Sequence, residues 1–211
     1  MSYAVKERFL TLQGEGVHAG RRAVFVRFAG CNLWTGREVD RAQAVCRFCD
    51  TDFVGMDGPG GGRFADGVSL AQAAAETWGD APRSERFVVL TGGEPMLQVD
   101  DPLIDALHAQ DFTIAIESNG TIAAHPAIDW VCISPKAGSE VVQRSGDELK
   151  LVWPQVGIDV DALEGWDFAN LLVQPMDSDA REDNLVQAIT FVMERPRWRL
   201  TLQTHKLLGL P

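Results

Sequence analysis

Cys31, Cys46 and Cys49 crowd into 19 residues with the spacing C-x14-C-x2-C. A CxxC pair brings two thiolates to one metal or cluster, and a third cysteine reaches the same centre over a longer loop. The count of three is informative. A structural zinc site closes with a fourth ligand, which His18 or another histidine could supply, whereas a four-iron cluster held by three cysteines keeps one iron open to a substrate. Spacing alone leaves both open. Clustered cysteines of this kind are more often ligands than halves of a disulfide framework, while Cys132, alone in the apolar run WVCIS, reads as a small buried hydrophobe.

Other polar residues stand where apolar runs end. TGGEP (91–95) follows RFVVL; its two glycines let the backbone approach a ligand closely, and Glu94 adds a carboxylate suited to an ammonium group. The plainer alternative is a tight Gly-Gly turn with a surface glutamate. Glu117 and Asn119, Ser134 and Lys136, and Gln174 to Asp177 end three further runs, where a side chain either faces a ligand or caps a turn. In LQGEG (12–16), Gly14 and Gly16 let backbone groups face a flat heterocycle, Gln13 offers a donor and an acceptor, and Glu15 accepts paired N–H donors. Arg27, inside VFVRFAG, is a charge in apolar surroundings and needs a partner, either a ligand carboxylate held bidentately or an internal salt bridge. The sequence stops at HKLLGLP with no polar tail, so His205 and the Pro211 carboxylate are expected to be fixed near the mouth of the barrel inferred below.

The elements that must hold these residues alternate. Apolar runs recur at 23–30, 86–93, 112–118, 129–134, 170–175 and 197–203, several of them continuous, as in parallel strands covered on both faces. Between some of them lie helical patterns: LAQAAAETW (70–78) with Ser69 as a cap, PLIDALHAQ (102–110) opened by Asp100 or Asp101, and EDNLVQAITFVME (182–194). Strand and helix in alternation give a parallel sheet with right-handed crossovers. A complete eight-stranded barrel takes about 250 residues. About six strands in 211 residues therefore point to an α/β incomplete TIM-type barrel with flanking helices, an open doubly wound sheet being the alternative. Residues 32–45 read as a loop or short helix, and 55–67 (GMDGPGGGRFADG) as a mobile loop too glycine-rich for a regular element. No repeat or linker divides the chain, so residues 1–211 are expected to form one domain with a cluster-binding loop at 31–49.

Composition narrows the partners. With 45% apolar residues the chain can offset the entropy of ordering, which argues against disorder. The net charge of −11 argues against nucleic acid. No run approaches the length that spans a bilayer, and the N-terminus lacks a signal pattern, so the chain is expected to be cytoplasmic. Residues 1–50 carry +3 against −14 in the remainder, a bias that fits an anionic ligand there or an uneven surface.

Taken together, FVRFAGC, the CRFCD pair with an aromatic between its cysteines, and TGGEP resemble the radical S-adenosyl-L-methionine (AdoMet) enzymes. Most of that superfamily spaces its cysteines C-x3-C-x2-C. The enlargement of the first gap by 11 residues is a departure that resembles some 7-carboxy-7-deazaguanine synthases. FLTLQGEGVHAGR (9–21), CDTDF (49–53), LTGGEPMLQ (90–98), IESNGT (116–121), ISPKAG (133–138), LKLVWP (149–154), VQPMD (173–177) and LQTHKLLGLP (202–211) are similar to that family, so the resemblance covers nearly the whole chain.

The resemblance implies roles. Cys31, Cys46 and Cys49 ligate a 4Fe–4S cluster whose open iron binds AdoMet. Phe48, Cys49, Asp50, Gly93, Glu94, Asn119, Ser134, Pro135, Lys136, Gln174, Pro175, Met176 and Asp177 contact that cofactor. Thr51 holds Mg2+ together with substrate, a role nothing in its own chemistry would suggest. Leu12, Gln13, Gly14, Arg27, Thr91 and Pro211 bind a carboxylated pterin, with Glu15, Arg27, Glu117 and His205 as the catalytic set. The implied reaction converts 6-carboxy-5,6,7,8-tetrahydropterin to 7-carboxy-7-deazaguanine and ammonia in queuosine-type biosynthesis, with AdoMet as a regenerated cofactor. An external electron donor of the flavodoxin or ferredoxin type and a homodimer are implied too. Two alternatives keep some of the same residues: a radical-AdoMet activase acting on a partner protein, and a non-catalytic zinc-binding protein.

Overall fold

A computed structural model describes residues 2–211. Strands β1 (Tyr3–Leu12) and β2 (Arg22–Phe28) form an antiparallel hairpin, and β3 (Gly62–Phe64) pairs antiparallel with the outer edge of β1. From β2 onward every pairing is parallel. Strands β4 (Phe87–Gly92), β5 (Thr113–Ser118), β6 (Trp130–Ile133), β7 (Ser145–Trp153), β8 (Asp167–Pro175) and β9 (Trp198–Leu200) add in chain order, so the sheet reads β3-β1-β2-β4-β5-β6-β7-β8-β9. Addition in chain order through crossovers is how a β/α barrel winds. Among the described residues the edge strands β3 and β9 do not meet, so the barrel stays open.

This is the incomplete barrel expected from the alternation, with seven consecutive parallel strands where about six were expected. The additional parallel strand is β7, and β1 was likewise absent from the apolar runs. Lys6, Glu7 and Arg8 break the run in β1, and Glu148 and Lys150 break it in β7. In β7 the two charges share the inner face, because side chains alternate along a strand; in β1 the neighbouring charges diverge, Glu7 meeting Arg27 and Arg8 reaching Ala73 O and Thr77 of the helix that follows β3.

The two faces of the sheet differ. Outward, Val24, Val26, Phe28, Val88, Leu90, Ile114 and Ile116 pack under α1 (Gly67–Trp78) and α2 (Asp101–His108). Further along the sheet, Leu149, Leu151, Leu171 and Val173 pack with α3 (Val160–Glu164), α4 (Arg181–Glu194) and Trp198 of β9. Inward, Ala23, Phe87, Val89 and Ala115 form an apolar plug. One step toward the strand ends on that inner face, the side chains become Arg27, Thr91, Glu117, Lys150 and Gln174. The barrel interior is thus graded from apolar to polar, which places the polar end at the C-terminal mouth.

Local chemistry explains the ends of the elements, with two corrections. Ser69 does not cap α1: Asp66 does, accepting from the Ser69 N–H at 2.8 Å, while the Ser69 hydroxyl answers the Asp66 backbone in a reciprocal capping box. Asp100, not Asp101, caps α2, and Tyr3 donates to its carboxylate. Nor is 55–67 a mobile loop. It runs along β1, with Gly58 N–H donating to Lys6 O at 3.0 Å and Pro59 O accepting from Arg8 N–H at 2.8 Å, before it forms β3. A Cβ on Gly61 would stand 2.2 Å from Lys6 O, so this glycine serves close packing of two backbones. Residues 38–43 form a short 3-10 helix between the first two cysteines, and Thr204–Leu208 form α5. Among the described residues no helix is long and apolar enough to cross a membrane.

Candidate functional site

The polar mouth of the barrel encloses a cavity of about 360 Å3, within the range of small-molecule sites. Seven segments contribute. The β1–β2 turn supplies Leu12, Gln13, Gly14 and Glu15; β2 and the loop after it supply Arg27, Cys31, Cys46, Phe48, Cys49, Asp50 and Thr51. The strand ends supply Thr91 and Gly93, then Glu117 and Asn119, then Ser134 and Lys136, then Gln174, Met176 and Asp177. His205 and Pro211 arrive from the C-terminal segment. Residues as far apart in the chain as Leu12 and Pro211 thereby share one cavity.

Three of the expected site residues do not face this space. Glu94 is fully buried, neither on the surface nor on the cavity wall. Its Oε1 accepts from Met96 N–H (3.0 Å) and Ser118 Oγ–H (2.8 Å), and its Oε2 accepts from Asn119 N–H (2.8 Å). Burial pushes its carboxyl upward. Glu94 thus ties the turn after β4 to the end of β5, and reaches the cavity only through Ser118 and Asn119. Pro135 is buried, its carbonyl accepting from Gln155 Nε2–H at 3.2 Å, and Pro175 ends β8 without lining the cavity.

All four cysteines are free thiols, and Cys31, Cys46 and Cys49 line the cavity. Leu33 N–H points at Cys31 Sγ (3.4 Å). The hydrogen bond from Cys46 holds the Cys49 thiol below its ordinary range despite burial. Among the described residues no three His, Cys, Asp or Glu side chains converge tightly enough to hold one metal ion. His18 stands elsewhere, wedged between Phe87 and Trp130 with ring centroids 4.9 and 4.3 Å away, its pKa lowered by burial and by Arg21. His18 therefore does not complete a Cys3His zinc arrangement. Three thiols on an open wall fit a cluster that presents a face to a ligand. Cys132 is buried as expected, with its thiol 3.4 Å from Glu148 Oε1.

Beside the cysteines the cavity offers places for a polar ligand. Gln174 is 5% exposed, and its Oε1 has no hydrogen-bond partner among the described residues. A buried orphan acceptor on a cavity wall fits a bound group that brings a donor, and AdoMet carries an ammonium and two ribose hydroxyls. Lys136 donates to Ser134 O (2.9 Å) and Oγ (2.6 Å), and lies 5.9 Å from the Phe48 ring centroid; burial lowers its pKa.

The floor is a charge network. Lys150, 4% exposed, stands 2.5 Å from Glu15 Oε2 and 3.5 Å from Glu117 Oε2. Glu15 also accepts from Gln203 Nε2–H at 2.9 Å, and Glu117 accepts from Gln13 Nε2–H at 2.9 Å. Burial raises the Glu15 pKa, but Lys150, Gln203 and His205 together hold it below the ordinary range. Arg27 has the internal partner that was one of its two readings, because its Nε donates to Glu7 Oε1 at 2.7 Å. It lines the cavity all the same. Gly14 is needed for the approach of His205, since a Cβ there would stand 2.1 Å from His205 Nδ1.

The sequence reading missed Lys150, Gln203 and Lys206. Lys206 donates to Asp50 and Asp177, both at 2.6 Å, and so joins the cysteine loop to the end of β8. Lys150 carries the same signal as Arg27, a charge inside a strand of apolar neighbours (LKLVW). Gln203 and Lys206 carry none.

Known proteins resemble this chain throughout its length. No family model matches it. A 7-carboxy-7-deazaguanine synthase from Bradyrhizobium diazoefficiens is 60% identical over 210 residues, covering 100% of both chains. One from Bordetella pertussis is 57% identical over 211 residues, again covering 100% of both. Among solved structures, the crystal structure of QueE from Escherichia coli superposes with a TM-score of 0.69 at 27% identity, over 96% of this chain and 94% of that one.

Proposed function

The chain belongs to the 7-carboxy-7-deazaguanine synthase family of radical-AdoMet enzymes, and we propose that its cavity converts 6-carboxy-5,6,7,8-tetrahydropterin to 7-carboxy-7-deazaguanine and ammonia. The observation that carries this reading is one cavity lined both by three thiols and by Arg27 and the Glu15–Lys150–Glu117 groups. AdoMet on a 4Fe–4S cluster supplies the radical chemistry that no side chain can perform. The protein's part is binding, orientation and the holding of protons.

Cys31, Cys46 and Cys49 would hold the cluster. The 48–50 backbone, Gly93, Asn119, Ser134, Lys136 and the Gln174–Asp177 strand end would hold AdoMet, with the orphan Gln174 Oε1 accepting one of its donors. Glu94 acts indirectly, through the turn it holds. Arg27, with its Nε anchored by Glu7, offers its remaining guanidinium N–H groups to the pterin carboxylate. Leu12, Gln13, Gly14, Thr91 and Pro211 would frame the bicyclic ring, whose amide and exocyclic amine donate to carboxylates. Glu15 and Glu117 would accept from such donors, and His205, packed over Gly14, would complete the catalytic set.

Thr51 would hold Mg2+ beside the substrate. No set of three His, Cys, Asp or Glu side chains closes around a single ion among the described residues, so most ligands of that ion would come from substrate and water. An external one-electron donor of the flavodoxin or ferredoxin class would reduce the cluster, and a cytoplasmic homodimer is the assembly that the resemblance supports.

Anaerobically reconstituted, reduced protein should form the deazaguanine from carboxytetrahydropterin with AdoMet and Mg2+, leaving AdoMet unconsumed. Zinc without iron or sulfide in the purified protein, or stoichiometric loss of AdoMet, would count against the proposal. Arg27→Ala should raise the substrate KM about 10- to 100-fold, as expected for loss of a charge-assisted bond of about 1.5–3 kcal/mol. Iron content should stay at the wild-type level. An unchanged KM would assign Arg27 to its Glu7 salt bridge alone.

A further inference from the structure

The segment between Cys31 and Cys46 builds a support of its own. Trp34 is 8% exposed and meets Phe53 edge-on, with centroids 5.6 Å apart at 88°. Its indole N–H donates to Arg37 O at 3.2 Å, and Val45 N–H closes the base of the loop on Leu33 O at 3.1 Å. On this platform lies the guanidinium of Arg41, 4.1 Å from the Trp34 ring centroid. Its Nε donates to the Glu38 carboxylate at 2.9 and 2.8 Å. Its Nη1 donates to two backbone carbonyls, Arg47 O at 2.9 Å and Cys49 O at 3.1 Å.

Those two carbonyls flank Phe48 inside the Cys46–Cys49 turn. Phe48, Cys49 and Asp50 face the cavity, so the outer side of the turn is held by Arg41 while its inner side is free to receive a ligand. A CxxC turn that must present two sulfurs and a stretch of backbone at set positions gains from having its carbonyls fixed beforehand, because ordering it at the moment of binding costs affinity.

We propose that Arg41 is a positioning residue, and that the long first cysteine gap exists to carry it: the Trp34–Arg41 stack preforms the Cys46–Asp50 turn for the cluster and for the AdoMet bound beside it. This rests on the radical-AdoMet reading of the cavity. A planar guanidinium is required, because one group must stack on the indole, pair with Glu38 through Nε and reach two carbonyls through Nη1. A lysine ammonium supplies the charge without the stacking plane or the fork.

The test compares wild type, Arg41→Met, Arg41→Lys and Glu38→Gln, each reconstituted anaerobically. Iron and sulfide per chain, the rate at which an iron chelator strips the cluster, the EPR spectrum of the reduced cluster with and without AdoMet, and the AdoMet Kd are measured. Arg41→Met and Arg41→Lys should each lose the cluster about tenfold faster and bind AdoMet about tenfold more weakly, the scale of one charge-assisted bond. The AdoMet-induced change in the EPR signal should be diminished in both. Glu38→Gln, which leaves the carbonyl contacts in place, should behave as wild type. Unfolding of the apoproteins should be unchanged, because Arg41 lies in a short 3-10 helix outside the core clusters. Wild-type cluster lifetime and AdoMet affinity in Arg41→Met would overturn the proposal. Retention of both in Arg41→Lys would reduce it to a charge effect and overturn the positioning role. Failure of the wild type itself to take up iron and sulfide would instead overturn the radical-AdoMet reading.

Discussion

Lys150→Met is expected to lower kcat/KM for the pterin by at least about 100-fold while the chain still takes up its cluster, the scale set by losing a buried charge partner. Two carboxylates, Glu15 and Glu117, face one cavity with side chains only 14% and 22% exposed. Lys150 is the cation between them. Burial alone would discharge it, yet Glu117 and Glu15 keep its pKa well above the ordinary lysine value. With the ammonium gone, the two carboxylates repel each other in a poorly solvated place. One of them then takes up a proton and changes from acceptor to donor, so the ring of the substrate meets the wrong hydrogen-bonding pattern.

Breaking such a pair costs about 3–5 kcal/mol when both partners are fully buried, and the partial exposure of the two glutamates puts this case toward the lower end. The sign with pH is specific. In the wild type Glu15 has a depressed pKa, so its contribution is present above the unfolded value and lost as pH falls through the folded one. In the variant burial acts on Glu15 without its cation and pushes its carboxyl upward, which reverses the slope. The melting deficit relative to wild type should therefore be larger near about pH 8 than near about pH 5. Adding Glu117→Gln should recover part of the lost stability. A deficit independent of pH, or normal KM in Lys150→Met, would show that the network does not set the charge state of the floor.

Gly93→Ala is expected to unload the cluster, leaving less than about half the wild-type iron, with a lower unfolding midpoint. The turn after β4 is stitched to the end of β2: Gly93 N–H donates to Phe28 O at 3.3 Å, and Glu94 N–H donates to Gly30 O at 2.9 Å. An alanine Cβ would stand 2.0 Å from Gly30 O and 2.8 Å from Cys31 Cβ. The nearest obstacle is backbone, which cannot swing aside as a long side chain does, so the overlap is relieved by parting the strand ends at a cost of about 1–3 kcal/mol. Cys31 leaves from that same junction, so its sulfur moves with it. Full iron content together with normal turnover in Gly93→Ala would sink this account.

Some residues announced their roles locally. The cysteines did so by spacing, TGGEP by glycines that a close crossing of chains requires, and Arg27 by its charge in an apolar strand. The parallel winding was legible because continuous apolar runs alternate with helical periods. Strands β1 and β7 were not legible as apolar runs, since a barrel with a polar mouth needs charged residues on its inner face. Glu94 looked exposed or ligand-facing from its motif, yet the packing of the turn after β4 on the end of β5 buries it among N–H and O–H donors. The 32–45 segment read only as a loop, because the purpose of Arg41 depends on carbonyls that a folded turn brings beneath it.

The sequence by itself determined the chemistry available: three thiols at a ligand spacing, a parallel α/β winding, and the motif order of the synthase family. The tertiary structure alone decided which charges meet. Glu15 finds Lys150 at a separation of 135 residues and Gln203 at 188, and Lys206 reaches Asp50 across 156. Spacing along the chain constrains only groups joined by a few bonds. Partners this distant are chosen by how the barrel curves, which brings the C-terminal ends of its strands to one mouth and leaves buried charges no other company.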